Sequence, residues 1–202
     1  MSKGRLEAFS DGVIAVAITL LALDINVPSP EAGSLGHELV RQWPQYAAYV
    51  VSFATIGIIW VNHHWMISRL SQTDRTILLL NLVLLMFIGL LPFGTSLMSE
   101  YLRADQGQSL AAAIYAGLLL LMSIAFSTLN RHILFRKAHL LSEEIPEARR
   151  RQILFRGIVG LLPYLLATAL AAVSADITLI LCAAVAVFYT LPIASGGEEQ
   201  SG

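Results

Sequence analysis

The chain has 202 residues, of which 56% are hydrophobic and only 13% charged, and its formal net charge is -1; its mean hydropathy is +0.68. A soluble domain carries about a quarter of its residues as charges, so this composition excludes a water-soluble globule, and so much apolar surface excludes disorder. The balanced charge gives no basic footprint for nucleic acid, and a single cysteine, Cys182, excludes an intrachain disulfide or a cysteine zinc cluster.

The fold class that remains is an all-α integral membrane protein. A spanning helix needs about 20 apolar residues, because each rises 1.5 Å through a hydrocarbon core about 30 Å thick. Six stretches qualify, at 9–27, 46–67, 77–98, 110–130, 153–173 and 177–193. Long runs rich in Leu and Ala must satisfy their own backbone in lipid, which requires helices and not barrel strands. Pro28 and Pro30 close the first span, Pro44 opens the second, and Pro92, Pro163 and Pro192 mark span ends or kinks. Trp43, Tyr46, Trp65, Tyr101 and Tyr189 fall where amphipathic rings meet the headgroups.

Basic residues set the orientation. With the N-terminus in the cytoplasm, eleven of the thirteen Lys and Arg face inward, and only Arg41 and Arg103 face outward. Both termini are therefore expected in the cytoplasm of a multi-pass cell-membrane protein. Lys3 and Arg5 precede an apolar stretch as in a signal peptide. Glu7 and Asp11 interrupt that basic region, however, and no small-x-small site precedes Pro28, so the first span is expected to be retained. The one long polar connection, 131–152, contains Ser142-Glu143-Glu144 before Pro146 and is read as helix extending past the membrane. Residues 196–202 are expected to form a disordered tail on a single six-helix unit, 1–195.

Polar groups inside a membrane are costly, at about 2.5–3.5 kcal/mol near a helix centre, and two clusters stand out. One is Arg5 with Phe9-Ser10-Asp11 at the start of the first span; the other is Trp60-Val61-Asn62-His63-His64 near the end of the second. Both fall at the cytoplasmic side, where hydrogen bonds among Arg5, Ser10, Asp11, Asn62, His63 and His64 are geometrically plausible. Ser10-Asp11 also reads as an N-terminal helix cap. A cap alone does not call for Trp, Asn and two His at the same depth, so a structural interhelical network is the favoured reading over a binding site. Adjacent His63 and His64 diverge by about 100° on a helix, which disfavours a metal site. No nucleophile elbow, Walker loop or dinucleotide fingerprint occurs, so no enzyme is expected.

At 100° per residue Phe9, Gly12, Val16, Thr19, Leu20, Leu23 and Val27 share one stripe of the first span. Such a stripe is usually packing. Here Ser10-Asp11 lies below it and Asp24 with Asn26 above, and acidic groups at both ends of an apolar middle suit a narrow path with cation-attracting mouths, Asp24 at the outer one.

The motif Arg-x-x-x-Phe-Ser-Asp at 5–11, the Gly-Val-Ile-Ala-Val-Ala-Ile-Thr-Leu-Leu-Ala-Leu-Asp-Ile run that follows it, and Trp60-Val61-Asn62-His63-His64 resemble the bacterial branch of the lysosomal potassium channel family, transmembrane protein 175. Animal members carry two six-span repeats per subunit. One repeat per chain implies a homotetramer in membrane lipid, with the pore lined by the first helix of each subunit. The resemblance implies a constriction at Val16, further rings at Leu20 and Leu23, and a hydroxyl layer for potassium preference at Thr19. The family more usually has Ile or Leu at the innermost ring, so Val16 is one carbon smaller. No Thr-Val-Gly-Tyr-Gly filter run is present. The expected function is a potassium-preferring cation channel with no cofactor beyond the permeant potassium ions. Two rivals stand beside it. Asp11, Glu7, His63 and His64 suit a proton-coupled or proton-conducting transporter, and the stripe alone would serve a non-conducting scaffold.

Overall fold

The computed structural model describes residues 3–29 and 33–190, and its regular elements are helices. Helix α1 spans Lys3–Leu23, α2 Leu35–Arg41, α3 Trp43–Ser68, α4 Arg75–Tyr101 and α5 Gln108–Arg131. A π-turn at His132–Arg136 and a 3-10 turn at Ala138–Leu140 lead to α6 at Glu147–Val159, α7 at Leu161–Leu170 and α8 at Ala175–Thr190.

Several boundaries correct the sequence reading. Helix α1 starts about two turns before Ser10, so Ser10 and Asp11 are interior helical residues and not its cap. It ends at Leu23, leaving Val27 beyond the helical stripe. A short helix, α2, precedes α3, whose first turn takes Pro44 where no intrahelical N–H is needed. Helix α4 is capped by Asp74, whose carboxylate accepts from the Ile77 N–H at 2.8 Å. It runs through buried Pro92 to Tyr101. The fifth apolar stretch is broken at Gly160, because Pro163 has no N–H for the Val159 carbonyl one turn back.

Five segments are long and apolar enough to cross a membrane: α1, α3, α4, α5 continued through the π-turn, and α6 with α7. The sixth expected span is represented by α8, which has 16 residues. It runs to the last described residue. The expected tail at 196–202 and the end of the stretch at 177–193 lie outside the described residues.

Between helices in lipid the hydrophobic effect gives no drive, so close packing and hydrogen bonds must hold the bundle. Helix α4 is its hub: it packs on α1, α3 and α5, while α5 continues onto α7 and α8. Small residues let backbones approach. A Cβ on Gly94 would come within 2.7 Å of Leu118 Cδ1 across the α4–α5 seam, where Ala112 and Ala116 are fully buried. Gly107, which starts α5, has φ 85°, and a Cβ there would stand 2.8 Å from the Tyr101 ring. Midway along the bundle the Ser52 hydroxyl meets Thr95 Oγ1 at 2.8 Å and the Tyr115 hydroxyl at 3.0 Å, joining α3, α4 and α5.

The connection at 131–152 is not one extended helix. Leu70 and Leu141 form an isolated antiparallel bridge. Around it the Ser71 N–H donates to the Leu140 carbonyl and the Ser142 N–H to the Arg69 carbonyl, each at 2.7 Å. The Lys137 ammonium lies 2.9 Å from Asp74, and the Arg69 guanidinium covers the Trp65 ring at 4.2 Å. Helix α6 begins only after Pro146, because the preceding chain is committed to this clasp with the α3–α4 turn.

Candidate functional site

Helix α1 leans mainly on α3 and α4, at the margin of the bundle. Its two faces differ sharply. Leu6, Ser10, Ile14, Ala17 and Leu21, at helical spacing, are at most 2% exposed, whereas Val16 is 57%, Leu20 42% and Leu23 78% exposed. Phe9, Gly12 and Thr19 continue the exposed side. A shallow groove of about 430 Å³ runs along it, lined by Phe9, Gly12, Val16 and Leu20 of α1 and Gly89 of α4 among others. The ridge is thus not packed against other helices of its own chain. The Thr19 hydroxyl donates to the Val16 carbonyl at 2.9 Å, which leaves its lone pairs free to accept. Asp24 is half-buried just past the end of α1, and the next turn is held by the Asn26 N–H, which donates to Gln45 Oε1 at 3.1 Å.

The polar cluster at the Lys3 end divides in two. Ser10 and Asp11 point about 100° apart on α1, and each finds its own partners. Inside, the His63 Nε2–H donates to Asn81 Oδ1 at 2.7 Å, and Asn81 Nδ2 donates to the Ser10 hydroxyl at 3.0 Å. All three side chains are buried, so one chain of hydrogen bonds ties α1, α3 and α4 together. Outside, Trp60 Nε1–H donates to Asp11 Oδ1 at 2.9 Å. The His64 ring lies beside Trp60, with centroids 6.0 Å apart. Lys3 ties the start of α1 to the end of α3 by donating to the Ser68 carbonyl.

Not every expected member joins. Asn62 is exposed and donates back to the Ile58 carbonyl of its own helix at 2.7 Å. Arg5 is exposed without an ion pair or hydrogen bond among the described residues. Phe9 belongs to the exposed ridge and not to the network. His63 faces the interior and His64 the surface, and the described residues hold no group of three or more His, Cys, Asp or Glu placed for a metal. The residue missed was Asn81. Its signal was present: a single amide within the apolar stretch Leu78-Leu79-Leu80-Asn81-Leu82-Val83, where an unpartnered amide would cost several kcal/mol.

Comparison with known proteins adds a second line of observation. The family model of the endosomal/lysosomal potassium channel TMEM175 matches residues 5–92. A potassium channel of Streptomyces collinus is 46% identical over 188 residues, which cover 93% of this chain and 91% of that one. The crystal structure of a lysosomal potassium-selective channel TMEM175 homologue from Chamaesiphon minutus superposes with a TM-score of 0.84 at 36% identity, covering 96% of this chain and 98% of that one. The human endosomal/lysosomal proton channel TMEM175 is 33% identical over 172 residues, 81% of this chain but only 34% of that protein.

Proposed function

Because the chain belongs to the TMEM175 family, we propose that it is a potassium-preferring cation channel in which α1 of four identical subunits surrounds the ion path. The observation that carries this reading is the two-sided character of α1: one face builds the protomer's core, and the opposite face, with Val16, Leu20 and Leu23, is left uncovered by that protomer. An apolar ridge on a peripheral helix that is not used for folding is available to neighbouring copies.

In the proposed assembly the ridge turns to a fourfold axis. Val16 and Leu23 are seven residues apart, so their rings stand about 10 Å apart along the path, roughly a third of the hydrocarbon core. Rings of four Val16 and four Leu20 are too apolar to hold water, and an ion crossing them faces a desolvation barrier. Small rotations of α1 widen the rings. Potassium sheds water more readily than sodium, so such a constriction favours it without a cage of carbonyl ligands. The Thr19 lone pairs supply a polar layer between apolar ones, and Asp24 draws cations to the outer mouth. Five apolar spanning segments, followed by the apolar helix α8, and the bias of basic residues support a multi-pass protein with both termini inside.

Val16→Asn and Leu20→Asn test the reading. Each is expected to raise potassium flux into liposomes at equal protein content, and the bi-ionic reversal potential of the purified protein is expected to favour potassium over sodium. Unchanged conductance in both variants would show that the ridge does not line the path.

Proton conduction is a second reading, supported by the name of the human relative and by the buried His63–Asn81–Ser10 chain next to Asp11. Proton-driven currents that persist in the absence of potassium would favour it.

A further inference from the structure

On the side of the bundle served by α5 and α8, helices α6 and α7 turn an apolar column outward. Phe155 is 68% exposed and Leu162, two turns on, 60%. The arginines that precede this column do different things. Arg150 is internal to the fold: its Nε–H donates to the Ile145 carbonyl at 2.6 Å and its Nη1 to the Leu134 carbonyl at 3.3 Å, which seats α6 on the π-turn. Arg151 pairs with Glu147 at 2.6 Å. Arg149 and Arg156 are exposed and, like Arg136 in the π-turn, have no ion-pair partner among the described residues.

Seven residues separate Arg149 from Arg156, so they share one side of α6 about 10 Å apart, and the Phe155–Leu162 column lies on the adjoining face, about 100° round the helix. No charged residue lies between Arg156 and Asp176. Arg156 therefore marks the depth at which the helix enters hydrocarbon, and Arg149, about 10 Å further out along α6, stands at the outer rim of the headgroup layer, which adds about 5–8 Å on each side of the core.

We propose that this edge of α6 is a binding site for an anionic phospholipid, its phosphate held between Arg149 and Arg156 and an acyl chain laid along Phe155 and Leu162. The Arg150–Leu134 bond holds the π-turn, which carries exposed Arg136, against the start of α6. The charge balance selects the occupant. Among the described residues of 131–156, the guanidiniums of Arg136, Arg149 and Arg156 have no ion pair and outnumber the one carboxylate without one, Glu143, and guanidinium forks match phosphate oxygens in pairs. The inference rests on the proposed placement of α1 at the shared axis, since that arrangement leaves α6 and α7 facing lipid.

Native mass spectrometry of the full chain in mild detergent, titrated with phosphatidylglycerol or phosphatidylcholine, reads the adducts directly. Phosphatidylglycerol is expected to bind in preference. R149Q/R156Q is expected to weaken it about twenty-five-fold, at about fivefold per cation removed, whereas R103Q at the opposite end leaves it unchanged. Equal binding of the two lipids, or unaltered phosphatidylglycerol binding by the double variant, overturns the proposal. So does a disulfide between Phe155→Cys residues of two subunits, because a second copy would then cover this face. Potassium flux is measured alongside in vesicles with and without phosphatidylglycerol: flux without lipid preference sinks the lipid site alone, and lipid preference without flux in either vesicle sinks the conduction reading alone.

Discussion

Replacing Asn81 by alanine cuts the bridge that fixes α1 to the rest of the bundle. The amide receives a hydrogen bond from His63 at 2.7 Å and gives one to Ser10 at 3.0 Å, and all three side chains are buried. Interhelical hydrogen bonds in membranes are worth about 0.6 kcal/mol on average and about 1.7 at most. Two bonds then contribute about 1–3 kcal/mol, and the His63 N–H left behind in a closed site moves the cost toward the upper end. Asn81→Ala is therefore expected to destabilise by about 2–3 kcal/mol in reversible unfolding in mixed micelles. Ser10→Ala alone, which removes only the Asn81–Ser10 bond, is expected to cost about 1 kcal/mol. Because both changes break the same Ser10–Asn81 bond, the double variant should fall short of the sum of the singles. Additive effects within about 0.3 kcal/mol, or a cost for Asn81→Ala below about 0.5 kcal/mol, would refute the tether. Val16 lies six residues beyond Ser10, about 9 Å along the helix, so the same variant is also expected to change conductance per molecule.

Asp74 caps α4 and pairs with Lys137. The Ile77 N–H first, then Lys137, hold its carboxyl below the usual carboxylate range. A lowered native value means that the stabilisation is complete above the ordinary carboxylate pKa and is lost as pH falls through the native one. Wild type should therefore lose its advantage over Asp74→Ala, about 1 kcal/mol at neutral pH, in thermal unfolding series below about pH 4. Tyr115→Phe removes the hydroxyl bonded to Ser52 but keeps the ring, so a loss of about 0.6 kcal/mol is expected; Tyr115→Ala is expected to cost about 3–5 kcal/mol. A comparable cost for both would mean that the hydroxyl, and not the packing, holds that seam.

Much of this architecture was legible because lipid leaves a chain few choices. Apolar runs of about 20 residues had to be helices, and the core of each expected span lies within a helix or within the α6–α7 pair. Spacing put Phe9, Gly12, Val16, Thr19, Leu20 and Leu23 on one side of α1, but a stripe of that kind is usually packing, and only the placement of α3 and α4 shows that this one is left uncovered by its own chain. What sequence reasoning misplaced were the features that depend on partners. Ser10 and Asp11 looked like a cap because capping is a local property; the earlier start at Lys3 is supported from outside, by the Ser68 carbonyl on α3. The clasp at Leu70–Leu141 joins turns about 70 residues apart, and neither strand-like piece is long enough to have a period. Asn62 and His63 are neighbours of like polarity, and only the position of α4 decides that His63 reaches Asn81 while Asn62 folds back on its own helix.

Helix α1 divides its duties around its circumference. Side chains such as Ile14, Ala17 and Leu21 answer to the protomer's interior, and those such as Val16 and Leu23 do not. Redesign can therefore treat the two halves as separate alphabets: polar or bulky letters written on the outer half leave a monomer that still assembles its own core. Changes on the outer half accordingly need no compensating changes elsewhere in the protomer, whereas a single methyl misplaced on the inner half is felt by α3 and α4 at once.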